Sequence, residues 1–248
     1  GSVFTTVAKI FWEAVSRIRQ PNTNGKCTTS FLDRAKLSFG GQFPDVKVDE
    51  VKSLGRILPI FIVMIFYWTV YLQMSTSYIL QGERMRLVYD NFTIPVAFLN
   101  LFDIIIILVL VPLVDRVLEP FLKRIGYPLS QLKRIGIGMV FAVVSMLIAA
   151  GVEFARKADI AEGHNFTQTV GDKNYTAADL SVFAQIPQYT FIGASEVFAS
   201  ITGLEFAYSQ SPKAMQGVVM GLFLLTTGLG SYVGSLLVTI VNAITSSK

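Results

Sequence analysis

The sequence predicts an all-α membrane protein, and two observations carry that expectation. Of the 248 residues 52% are hydrophobic and 15% are charged, against about 25% charged in soluble domains; mean hydropathy is +0.54. The apolar residues also fall into runs of the length a helix needs to cross a bilayer, roughly 20 residues. Five such spans are expected, at about 57–81, 95–114, 135–152, 180–208 and 214–245. The first is free of charge. The second is interrupted by Asp103, and the fourth carries Glu196 and, near its end, Glu205. The fifth is long for one crossing and is expected to tilt or protrude.

The loops set orientation. Arg116, Lys123, Arg124, Lys133 and Arg134 lie between spans two and three, and nine Lys or Arg residues precede span one. Under the positive-inside rule these sides face the cytosol. The opposite loops hold three glycosylation sequons, at Asn91, Asn165 and Asn174, so charge and sequons agree on one topology. The lone His164 lies in a sequon-bearing loop and is read as a surface residue, not a buried proton carrier.

Residues 1–53 read as a cytosolic amphipathic helix and linker, and 54–248 as a transmembrane bundle. Val3, Val7, Ile10, Phe11, Val15 and Ile18 fall near one helical face. That stripe fits a helix lying on the cytosolic leaflet and equally the end of a preceding transmembrane helix. Residues 21–30 form a polar linker, and 31–50 a short helix and turn. The chain begins with Gly1 and is read as part of a longer protein. With one cysteine, Cys27, no intrachain disulfide is possible. No phosphate loop, metal-ligand cluster or nucleophile triad is present in the sequence. The chain is not expected to be an enzyme, nor to hold a metal or cofactor, nor to bind nucleic acid.

An ionised carboxylate inside a bilayer costs several kcal/mol or more, so Glu196 needs a role or a partner. Trp68, Asp103 and Glu196 each lie near the centre of their own span, and transporter substrate sites lie near the midplane. Glu196 is expected to pair with a cationic amino group; the competing reading is a structural ion pair or hydrogen-bonded acid. Asp103 is a candidate for a second cation, such as an imidazolium, or for taking up a proton. Tyr67, Trp68 and Phe223 are candidate walls of side-chain pockets, against plain packing. Gln73 is a candidate for hydrogen bonds to a ligand, against an interhelical bond. Gly217, Gly221, Gly230 and Gly234 form two small-xxx-small pairs, read as close helix packing.

Several motifs then resemble one family. The run Ser195-Glu196-Val197-Phe198-Ala199-Ser200-Ile201-Thr202-Gly203-Leu204-Glu205-Phe206 closely resembles the tenth helix of the proton-coupled oligopeptide transporters. Phe66-Tyr67-Trp68-Thr69-Val70-Tyr71-Leu72-Gln73-Met74 resembles the seventh, with Tyr-Trp as in the peptide/histidine branch. Val111-Pro112 with Asp115 resembles the end of the eighth, and Lys133-Arg134-Ile135-Gly136-Ile137-Gly138-Met139 the start of the ninth. Two positions depart from the peptide-transporter pattern: Asp103 where many members have Asn, and Leu72 where some have Asp.

The resemblance implies the C-terminal six-helix bundle of a major-facilitator-type transporter, with five of its helices in this chain and the N-terminal bundle outside it. It implies that Glu196 receives the substrate's amino group. The implied function is proton-coupled symport of di- and tripeptides and histidine into the cytosol, at a lysosomal or endosomal membrane or at the plasma membrane. The implied partners are a peptide or amino-acid substrate, the lipid bilayer, the N-terminal bundle and a cytosolic adaptor. Two alternatives stand beside it: a major-facilitator porter of another solute, and a transport-incompetent scaffold that recruits signalling partners.

Overall fold

The computed structural model describes residues 3–17, 30–89, 92–170 and 173–246. Asn91, Ile18, Cys27 and the linker 21–29 lie outside the described residues. The chain divides into two compact units, residues 1–63 with 205–226 and residues 64–204 with 227–248.

The helices are α1 (Val3–Ser16), α2 (Asp45–Tyr71), α3 (Ser77–Gly82), α4 (Asn100–Leu113), α5 (Glu119–Arg124), α6 (Gln131–Ala161), α7 (Ile186–Ser195), α8 (Thr202–Gln210) and α9 (Gln216–Ser246). Among the described residues, four helical stretches are long and apolar enough to cross a membrane: Asp45–Gly82, Val96–Arg124, Gln131–Ala161 and Gln216–Thr245. The predicted fourth span is not among them. Its residues are helical from Val182 to Gln210, as a 3-10 turn, α7, a π-helical segment (Glu196–Ile201) and α8. This stretch is less apolar because protein, not lipid, surrounds much of it. Gln185, Gln188, Ser195 and Thr202 are fully buried there.

In the first unit, α1 packs on the 3-10 turn Phe31–Ala35. Ile10 and Ala14 are buried with Ala35, Val48, Val51 and Met215, and Val7 packs against them. The predicted stripe is therefore divided. Positions 7, 10 and 14 face protein, whereas Phe11, Trp12 and Val15 are exposed. Helix α2 begins at Asp45, well before the apolar run, because its first turns have ionic partners. Buried Asp33 contacts both Lys36 (3.1 Å) and Lys52, while Asp49 contacts Lys36 at 2.7 Å. Asp49, with Asp33 behind it, raises the Lys36 ammonium above the usual lysine range.

In the second unit, α7 packs between α4 and α6. Tyr78, Met85, Leu87, Val96, Leu99, Ala149, Val182 and Tyr189 form one core, and Val114, Val197 and Phe198 another. The stretch after α6 was expected as a loop and is an antiparallel hairpin, β3 (Asn165–Val170) with β4 (Lys173–Ala178). Buried Gln168 docks it: its amide donates to the carbonyls of Glu83 (2.9 Å) and Met85 (2.7 Å) and accepts from the Leu87 amide (3.3 Å). Asn165, Thr167, Asn174 and Thr176 share the exposed face of the hairpin. His164 is 63% exposed, beside Asp159. Among the basic residues that set orientation, Arg134 is 8% exposed and is neutralised by Glu119.

Candidate functional site

Two consecutive residues of one helix meet two hydroxyls from one stripe of another. Tyr67 and Tyr71 are spaced i,i+4 on α2 and so lie on one face. Tyr71 donates to Glu196 Oε2 at 2.5 Å. Tyr67 Oη lies 3.4 Å from Ser195 Oγ, which itself donates to the Ile192 carbonyl at 2.6 Å. Glu196 is half-buried and opens the π-helical segment. An added residue in a helical turn shifts the faces of the residues around it, and such bulges are frequent at functional sites.

Asp103 is 5% exposed. Its Oδ1 has no hydrogen-bond partner among the described residues. Asp103 lies against Gly193, about one helical turn before Glu196. Gly193 makes this approach possible. A Cβ at that position would lie 2.6 Å from Asp103 Oδ1 and 2.9 Å from the Asp103 carbonyl oxygen. Gly138 does the same on the other side of the helical run, where a Cβ would lie 2.5 Å from the Ala199 amide nitrogen. The π segment is thus held by backbone contact as well as by side chains.

The aromatic residues form a cluster. Trp68 is 9% exposed; its ring meets Tyr67 and Tyr71 edge-on, each at 5.4 Å between centroids. The structure therefore brings together Tyr67, Trp68, Asp103 and Glu196 from the predicted set. Gln73 is placed elsewhere. It lies in the 3-10 turn Leu72–Ser75 that follows α2 and faces Gly234 of α9, while Thr69 of α2 faces both Gly230 and Gly234. Its amide donates to the Thr69 carbonyl (3.3 Å) and accepts from Ser77 (2.6 Å). It lines a cavity of about 410 Å³ with Thr69, Ser77, Met146, Leu237 and Val238. Phe223 belongs to the other compact unit, where it is buried against Phe61 at 6.1 Å.

Only one of the two predicted glycine pairs is a packing face. Gly230 approaches Ile65, Trp68 and Thr69, and Gly234 approaches Gln73 and Thr69. Gly217 and Gly221 have nothing within 4 Å of an added Cβ. Sequence reasoning missed Tyr71 and Ser195 as parts of the site. The signal was available for Tyr71, since it follows Tyr67 by one helical turn.

The chain matches the POT family over residues 1–248. It belongs to that family. It is 34% identical to solute carrier family 15 member 3 of Mus musculus over 98% of this chain and 45% of that protein. It is 32% identical to the probable peptide transporter ptr2 of Schizosaccharomyces pombe over 93% of this chain and 36% of that protein. A crystal structure of an auto-inhibited POT family peptide transporter superposes with a TM-score of 0.70 at 25% identity, covering 99% of this chain and 47% of that one. The in meso structure of another POT family transporter gives 0.65 at 25% identity, with 99% and 47% covered. The chain spans less than half the length of these relatives. Family and apolar helices together make it an integral membrane protein.

Proposed function

We propose that this chain is the C-terminal half of a proton-coupled symporter that moves di- and tripeptides, and histidine, into the cytosol. The observation that carries the reading is Glu196. It is a half-buried carboxylate within a helical run that buries Gln185, Gln188, Ser195 and Thr202, and it is hydrogen-bonded on one oxygen, with a second carboxylate, Asp103, against the same run. A substrate's α-ammonium offsets the desolvation of such a group, because opposite charges attract strongly at low dielectric. Asp103 is the proton-coupling candidate and the partner for a second cation such as an imidazolium. Tyr67 and Trp68 wall the space beside Glu196. The names of the mouse and fission-yeast relatives support a peptide substrate, and the resemblance to the peptide/histidine branch supports histidine and a lysosomal or endosomal membrane.

An N-terminal bundle completes the site in this reading, since alternating access rocks one bundle against the other. The hairpin carrying Asn165 and Asn174 faces the lumen, with both asparagines and both sequon threonines outward and accessible to glycosylation.

The test is Glu196→Gln in the full-length protein that contains this chain. Truncating one partner of a desolvated charge pair costs roughly 2–5 kcal/mol. Affinity for dipeptides with a free N-terminus is expected to fall at least tenfold. N-acetylated dipeptides, which lack that charge, are expected to lose little further. Equal losses for both, in competition binding normalised to folded protein, would make Glu196 a packing residue and refute the assignment.

A further inference from the structure

We propose that Tyr71 selects primary ammonium groups by occupying one of the two oxygens of Glu196. This rests on the reading above, in which Glu196 receives the substrate's cation. The geometry is specific. Tyr71 Oη donates to Oε2 at 2.5 Å. A phenol has one proton to donate, and an ionised carboxylate accepts on two oxygens. With one lone pair of Oε2 engaged, Oε1 is the less encumbered oxygen for a ligand, and Glu196 is half-buried, so part of it remains reachable.

The Tyr71 hydroxyl is not free to swing aside. Its ring is held edge-on by Trp68 at 5.4 Å and tilted against Tyr67 at 6.0 Å. Tyr67 is in turn anchored through Ser195. Trp68 itself is pressed towards Gly230, where an added Cβ would lie 2.5 Å from the Trp68 Cβ. The partner carboxylate is equally fixed, since it opens a π segment whose Ala199 backbone is in contact range of Gly138.

Two kinds of organic cation place different demands on such a carboxylate. A primary ammonium is a compact donor that one oxygen satisfies. A guanidinium or amidinium is a planar fork whose favoured contact is bidentate, one N–H to each oxygen. With one lone pair of Oε2 held by Tyr71, the fork must share Oε2 with the hydroxyl, displace it, or bind through Oε1 alone, and each of these weakens the bidentate contact. Tyr71 therefore acts on specificity between cations of equal charge rather than on charge recognition itself.

The experiment uses the full-length protein and three forms of one dipeptide: free amine, N-terminal guanidino and N-acetyl. Wild-type protein is expected to bind the free amine at least tenfold more tightly than the guanidino form. Tyr71→Phe frees Oε2 and is expected to shrink that ratio at least fivefold, mainly by improving the guanidino form. The acetylated peptide reports general damage, since it carries no cation. If Tyr71→Phe changes all three affinities by the same factor, Tyr71 only supports the fold and the proposal is overturned. Should the variant not fold, the wild-type ratio alone decides: equal binding of amine and guanidino forms overturns the proposal. The Glu196→Gln measurement separates the two claims. If that variant spares no ligand selectively, the reading of Glu196 has failed; if it is selective while the Tyr71→Phe ratio is unchanged, only the Tyr71 inference has failed.

Discussion

The helical run from Val182 to Gln210 and helix α9 are of comparable length and opposite make-up. The run buries Gln185, Gln188, Ser195 and Thr202, whereas α9 exposes Leu224, Leu236, Tyr232 and Ile244. Only α9 meets the length and apolarity expected of a bilayer crossing. Lipid tails are as apolar as leucine, so no hydrophobic drive sorts helices within the bilayer; packing and polar contacts do so instead. A helix walled by protein can spend its positions on hydrogen bonds and charge. Apolarity therefore measures contact with lipid and not membership of the bundle. The polar helical run, and not the apolar one, carries Glu196.

The comparison breaks most readily at glycines. Gly193→Leu sets a side chain against Ile106 and the Asp103 backbone, whereas a Cβ at Gly217 meets nothing within 4 Å. Overpacking a well-packed core costs typically about 1–3 kcal/mol, and occasionally more. Here the overlap is with a neighbouring helix backbone, so loss of folded protein is expected. At Gly217 a leucine gains roughly 0.5–1 kcal/mol in helix propensity. Yield of monodisperse protein and melting temperature in detergent read both variants. Equal behaviour of the two would mean that α7 is no more tightly enclosed than α9.

Much of this architecture was legible in the residues. Long apolar runs, broken only by Asp103 in the second, located the four apolar spans, because their exposed faces must match lipid. Glu196 and Asp103 stood out as carboxylates within apolar surroundings, and the structure brings them together. What remained hidden depends on which helix faces which. The Gly217/Gly221 and Gly230/Gly234 pairs look alike in sequence, yet only the second meets a neighbour. The run 180–208 read as a span of ordinary kind, although its glutamines already marked it as enclosed. The α1 stripe was visible, but not that Ala14 and Ile10 would pack on Ala35 and Val48. The hairpin at 165–178 was read as loop, and one buried side chain, Gln168, supplies its docking. Tyr71 was hidden because a tyrosine in a membrane helix has many uses; its partner had to be seen.

A charge on the lipid-facing side sharpens the same contrast. Leu229 lies near the middle of the Gln216–Thr245 span and is 41% exposed. An arginine at a span centre costs about 2.5–3.5 kcal/mol on insertion scales. Leu229→Arg is therefore expected to lower the fraction of α9 that integrates into microsomal membranes by about a hundredfold in equilibrium terms. Leu229→Ala should leave integration nearly unchanged. An arginine variant that inserts as well as the alanine one would mean that α9 is sheltered and that its apolar surface has another explanation.

The smallest effect tests whether the buried polar groups hold the enclosed helix in place. Ser145 on α6 is fully buried; its hydroxyl lies 2.7 Å from Tyr78 Oη and donates to the Gln188 carbonyl at 2.7 Å. It thus joins α3, α6 and α7. Gln188 and Gln185 then both donate to Gln81 Oε1, at 3.2 Å and 2.8 Å, extending the link. Interhelical hydrogen bonds in membranes average about 0.6 kcal/mol and reach about 1.7. Ser145 makes two such bonds, so Ser145→Ala is expected to cost about 1 kcal/mol, or roughly 2–4 °C in melting temperature for a protein of this size. The loss is limited because Tyr78 retains a contact with the Met146 sulfur at 3.5 Å. The control is Thr239→Ala on α9, whose exposed hydroxyl donates within its own helix, to the Ser235 carbonyl. That change should move the melting temperature by less than a degree. If the two alanines cost the same, hydrogen bonding between helices contributes no more than hydrogen bonding within one, and the enclosed run is held by packing at Gly138 and Gly193 alone.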